Sequence, residues 1–118
     1  MPYSNAAKNA MLDHLGSIAG FMSLHNANPG DTGANEISGG APAYARKANT
    51  WSAAAAGSMD NSNAPVFDIP AGATVAFVGF WSLATGGTFY GYASVTSETF
   101  AAQGTYTVTD ADLDLNAA

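Results

Sequence analysis

The chain has 118 residues, a formal net charge of −6, and charged side chains at only 10% of positions. Nucleic-acid binding depends on a basic footprint that neutralises phosphates, and Lys8, Arg46 and Lys47 cannot supply one. No cysteine is present, which excludes disulfides and thiolate metal ligation. The length suits a single domain, 1–118, able to bury one core without covalent staples. The opening Met1-Pro2-Tyr3-Ser4-Asn5 lacks the basic and apolar regions of a signal peptide. Apolar runs such as Val75 to Trp81 fall far short of the roughly 20 residues a membrane helix needs. A surface this poor in ions loses little solvation when a neighbour covers it.

In chain order, Ser4 is a good N-cap and Gly16 a natural C-cap, which predicts a helix over 4–16. Ala7, Met11 and Leu15 share a face with Leu12 beside them, and so short a helix needs something to dock on. The remainder, 18–118, reads as β-rich. Ile18 to His25 is a buried strand, followed by a long loop over 26–43 rich in Asn, Gly, Asp and Pro. Tyr44 to Trp51 resumes strand alternation, whereas Ala53 to Asn63 reads as loop. Val66 to Ile69, bracketed by Pro65 and Pro70, suits an edge. Thr74 to Leu83 is the strongest strand, and Thr85-Gly86-Gly87 turns it into a return strand over Thr88 to Thr96. Thr105 to Thr109 and Asp112 to Leu115 close the chain. This pattern predicts a mainly β fold, an antiparallel β-sandwich or small barrel, with one short N-terminal α-helix covering an open side.

Candidate chemistry is sparse. Asp110, Asp112 and Asp114 alternate as a calcium loop begins, but the required Gly and closing Glu are missing, so a solvated edge strand is the expected reading. His14 and His25 lack the spacing of a metal site, and His25 is placed to bond the backbone of the turn that follows it. No Gly-x-Ser-x-Gly elbow occurs, and Gly39-Gly40 and Gly86-Gly87 lack phosphate-loop spacing. No catalytic residue, metal ligand or cofactor is therefore expected. Trp51, Trp81, Tyr90 and Tyr92 are aromatics of the kind that fill a core or subunit interface, or that stack on the sugars of a receptor.

Three segments carry a resemblance. They are Leu12-Asp13-His14-Leu15, then Leu24-His25-Asn26-Ala27-Asn28-Pro29-Gly30, and Asn35-Glu36-Ile37-Ser38-Gly39-Gly40 running to Tyr44-Ala45-Arg46. Together with the Trp81 to Gly87 hairpin, they resemble a family of small tailed-bacteriophage virion proteins, labelled phage structural or tail-fibre proteins. Ala41-Pro42 departs from the family pattern as a small insertion. The resemblance implies a non-enzymatic virion component, made in the host cytoplasm, with no catalytic residues to carry over. Within its most specific stretch, Glu36 and Arg46 flank a Gly-rich corner and are expected to pair, fixing the long loop against the second strand. Charge reversal of either should lower the melting temperature, and the double swap should restore part of it.

The reading drawn from all of this is a capsid decoration or minor capsid protein docked on the major capsid shell as a homo-oligomer, without nucleic-acid or membrane partners. The alternatives are a small tail or tail-fibre-associated subunit bound to other tail proteins, and a glycan- or receptor-binding module of the tail.

Overall fold

The computed structural model describes residues 3–109 and the strand 112–114. Helix α1 spans Asn5–Ile18, and the Ser4 hydroxyl caps it by accepting the Ala7 N–H at 3.2 Å. The strands are β1 (Phe21–His25), β2 (Lys47–Ala48), β3 (Ser58–Asp60), β4 (Val66–Ile69), β5 (Thr74–Trp81), β6 (Phe89–Thr99), β7 (Gly104–Thr107) and β8 (Asp112–Asp114). They form a four-stranded antiparallel sheet in the order β2-β1-β5-β6 and two ribbons, β3-β8 and β4-β7. The described part is elongated, 46 × 24 × 23 Å.

The period-two rule sorts the sheet's two faces. Met22 and Leu24 stand opposite Phe80 and Val78, and all four are buried. Phe67 and Ile69 from β4 join them in the core, with Val75, Ile37 and Val108. Full burial of each large side chain contributes about 1.5–3 kcal/mol before entropy is counted. The β4-β7 ribbon thus forms a second layer over the sheet, and Tyr44 stacks on Phe67 at 6.1 Å.

Helix α1 docks through Leu12 and Leu15 and through two polar clamps. Leu12 is buried, while Asn9 Oδ1 accepts the Gly57 N–H at 3.0 Å and Asp13 Oδ1 accepts the Ala54 N–H at 2.9 Å. The clamped segment folds back on itself to make β3.

Several expectations need correction. The helix does not stop at Gly16 but runs to Ile18, and Ala19 ends it with an N–H bond to Leu15 O at 2.8 Å. Gly16 is where the helix passes close to Trp51 and Met59, so its missing side chain serves packing and not termination. The first strand consequently begins at Phe21. Met11 is exposed, and Leu12 is the buried residue of the helix. In the 44–51 segment the strand is only Lys47–Ala48, with an isolated bridge from Trp51 to Asn61, because Tyr44 and Arg46 point into other contacts. The 53–63 stretch read as loop contains β3, which the propensity of Ala, Gly, Ser and Asn does not announce. Gln103 brackets the Ala41-Pro42 insertion: its Oε1 accepts the Ala41 N–H at 3.2 Å and its Nε2 donates to Pro42 O at 3.1 Å.

Candidate functional site

The face of the sheet opposite the core carries a polar assembly. Ser23 and His25 share this face by the β1 alternation, across from Gly79 and Phe77 of β5. Both polar residues are fully buried. Trp81 Nε1 donates to Ser23 Oγ at 2.8 Å, and Ser23 Oγ lies 2.7 Å from His25 Nε2. His25 Nδ1 lies 2.8 Å from Ala34 O, and a carbonyl only accepts, so Nδ1 carries the proton. The direction of the chain is then fixed: indole N–H to hydroxyl oxygen, hydroxyl to Nε2, Nδ1–H to carbonyl. Burial holds the imidazole below the ordinary histidine range; the Ala34 bond and Glu36 pull it up, and nearby Arg46 pushes it down.

Gly79 makes the relay fit. A Cβ at that position would lie 2.5 Å from Ser23 Oγ and 2.6 Å from His25 Nε2. The 26–36 loop closes over the same face. Asn26 N bonds Asn35 O, Gly33 and Ala34 both donate to Pro29 O, and Asn28 caps the turn by accepting the Gly30 N–H. Gly33 lies in left-handed backbone at φ 77°, and a side chain there would collide with the Trp81 ring.

Beside the relay sits a charged cluster. Arg46 grips Glu36 in a fork, Nε to Oε2 and Nη2 to Oε1, both at 3.0 Å. Its Nη1 donates to Leu83 O at 3.0 Å and Gly86 O at 2.8 Å, and its Cζ lies 3.6 Å above the Trp81 ring centroid. Tyr44 Oη donates to Glu36 Oε2 at 2.8 Å and accepts the Leu24 N–H at 2.9 Å. Burial, with Glu36 adding to it, raises the Tyr44 phenol far above its ordinary range, so it remains a donor. One guanidinium thereby touches the long loop, the β5–β6 hairpin and the sheet.

Each polar group of the relay has a partner within the chain. A serine 2.7 Å from a histidine has the spacing of a nucleophile and its base. Here neither residue is exposed, the hydroxyl is committed to the ring nitrogen, and a carbonyl occupies the place of an orienting carboxylate. Among the described residues, no group of three or more His, Asp or Glu could hold a metal ion. Asp110 lies outside the described residues, and Asp112 and Asp114 belong to β8, paired with β3.

The four aromatics singled out by sequence have different fates. Trp81 is 8% exposed and enclosed by Arg46, Ser23 and Phe89. Trp51 is half-buried, donates Nε1 to Ala19 O and leans on Phe80. Tyr90 and Tyr92 are exposed on β6, with Tyr92 against Phe77 and bonded by Asn28. Sequence reading missed Ser23 and Tyr44. The alternation in Phe21-Met22-Ser23-Leu24-His25 does put Ser23 and His25 on one face, but nothing local announces Trp81 as their third member.

Fold and site define a small mainly-β protein with one short helix, in which Ser23, His25, Glu36 and Arg46 are bonded within the chain. No helix among the described residues is long and apolar enough to cross a membrane. Residues 2–116 match the family model described as Podophage GP4 fiber I protein gp80, and the chain belongs to that family of phage fibre proteins. No curated protein and no solved structure shows a significant match. The family favours the tail-fibre alternative over capsid decoration, for which it gives no support.

Proposed function

We propose that this chain is a non-enzymatic, tail-fibre-associated structural subunit of a podophage virion, bound to other tail components and to copies of itself. The observation that carries the reading is the family match over 2–116. The internal use of Ser23, His25, Glu36 and Arg46 supports it, since each is held in place by partners within the chain. The Glu36–Arg46 pair has a structural role in this reading, holding the long loop on the hairpin. Strand β6 supports self-assembly. It lies at the sheet's edge and carries neither the lysine nor the proline that blunts such edges in monomers.

The test is to separate heads from tails in purified virions and quantify the chain in each by mass spectrometry. The reading predicts the chain in the tail fraction at low copy number. Recovery with heads, at a simple ratio to the major capsid protein, would return it to capsid decoration.

A further inference from the structure

One buried titratable group lies under a loop and not in the hydrophobic core. His25 is fully buried, yet its ring stands on the face of β1 opposite Met22 and Leu24, among Gly79, Phe89 and the 26–36 segment. Water reaches it by displacing that segment, because the other side of the sheet is packed core.

The segment is built to move as one piece. Its neck is closed by the Asn26 N–H to Asn35 O bond at 3.0 Å. Inside it, Gly33 and Ala34 donate to Pro29 O, the Gly30 N–H to Asn28 Oδ1, and Asn35 Nδ2 to Asn28 O. Its ties to the sheet beyond the neck are fewer. They are the His25 Nδ1–H bond to Ala34 O, the seat of Gly33 on the Trp81 and Phe89 rings, and a 3.3 Å bond from Asn28 Nδ2 to the Tyr92 hydroxyl. A unit so lightly tied opens at lower free energy than the core.

A proton on the ring disrupts the relay at its centre. The neutral ring accepts the Ser23 hydroxyl at Nε2, whereas the imidazolium donates there. Ser23 Oγ already accepts the Trp81 indole N–H, so it would take two donors while its own proton loses its acceptor. A cation sealed in beside an orphaned hydroxyl is costly, and water relieves both. The surrounding charges do not remove that cost. Glu36 attracts the ring, but Arg46 grips Glu36 and repels it, and Tyr44 stays neutral. Asp31 on the segment is exposed, β5 carries no charge, and β6 carries only Glu98, beside Val75. Lys47 of β2 pairs with Met22, on the opposite face.

We infer that the 26–36 segment is an acid-operated lid: proton uptake by His25 lifts it as a unit off Trp81 and Phe89, baring an aromatic face while the core stays folded. The closed form binds that proton less readily than the open one, so acid favours opening. One proton is linked to one opening, so the open fraction rises up to about tenfold per pH unit below the ordinary 6.5. The device belongs to the chain itself and does not rest on its place in the virion.

The test is hydrogen exchange by NMR on the ¹⁵N-labelled full chain, from about pH 8 to about pH 5. It is run well below the melting temperature and corrected for intrinsic exchange. The Trp81 indole N–H, bonded to Ser23 under the lid, should lose protection by up to about tenfold per pH unit on the acid side. The Ile37 and Val108 amides, bonded to Leu24 O and Pro65 O outside it, should keep theirs. His25→Gln keeps a donor and an acceptor without titrating, and should flatten the Trp81 response. Tyr92→Phe, an exposed change that removes one tie, should speed Trp81 exchange several-fold at every pH with the slope unchanged. It carries the test if the first variant does not fold. Trp81 exchange that is flat with pH in the wild type, or equally steep in His25→Gln, would overturn the lid. So would loss of Val108 protection in step with Trp81, which is global unfolding, or Tyr92→Phe exchanging as wild type does.

Discussion

Arg46 does the work of several residues, which changes how its loss should be tested. A forked ion pair, two carbonyl bonds and a tryptophan face converge on one side chain that is only 9% exposed. Arg46→Lys keeps the charge but loses the fork and the planar stack, and should cost about 2–4 kcal/mol in denaturant unfolding. The swap Glu36→Arg with Arg46→Glu should recover little, because a carboxylate at 46 would face Leu83 O and Gly86 O. That differs from the recovery expected of an isolated pair, and recovery to near wild type would mean that the carbonyl bonds contribute nothing. His25 makes a second prediction. Its folded pKa lies below the ordinary 6.5, so the unfolded chain takes up a proton first as pH falls. Its contribution is therefore complete above about pH 6.5 and drains away below it. Thermal melts should show a falling melting temperature on that side, and long-range ¹⁵N NMR should show the neutral Nδ1–H tautomer at neutral pH. A charged ring at neutral pH would contradict the relay. Gly33→Ala combines strained backbone with a collision at Trp81, and should destabilise by more than about 2 kcal/mol.

At the scale of elements, what could be read from sequence followed the strength of the local signal. The β5–β6 hairpin was legible because Val, Phe and Trp alternate on either side of a Gly-Gly turn. Ser4 was legible as a cap for the same kind of reason. The helix end was not, because Gly16 serves a tertiary contact that competes with its local meaning. Nor was the 44–46 segment, whose strand-like alternation gives way to the bonds that Tyr44 and Arg46 make with Glu36. β3 was hidden because it depends on pairing with the distant β8, on a tight fold-back against 52–55 and on clamping by α1. The clamp can be tested directly. Asn9→Ala and Asp13→Ala should each cost about 1 kcal/mol and expose the Gly57 and Ala54 amides to hydrogen exchange. Unchanged exchange at both amides would mean that apolar packing by Leu12 and Leu15 holds the helix without the clamps.

For the molecule as a whole, low charge pointed toward a protein meant to be covered, and the phage fibre family agrees with that class. The sequence did not separate tail from capsid, because composition reports how a surface tolerates burial and not what buries it. The proposed self-assembly rests on one edge strand. β6 runs 11 residues along the sheet edge, bonded to β5 on one side, with Tyr90, Tyr92, Ser94 and Thr96 exposed and Glu98 its one charge. A lysine on this strand should leave the fold intact while opposing pairing with a second chain. The most direct measurement is the amount of this chain in tails purified from phage carrying Ser94→Lys, relative to wild type, with the melting temperature of the isolated variant alongside. The account predicts a native-like melt and strong depletion from tails. Normal incorporation of the folded variant would contradict assembly through β6, and recovery of the wild-type chain from heads would contradict the fibre role itself.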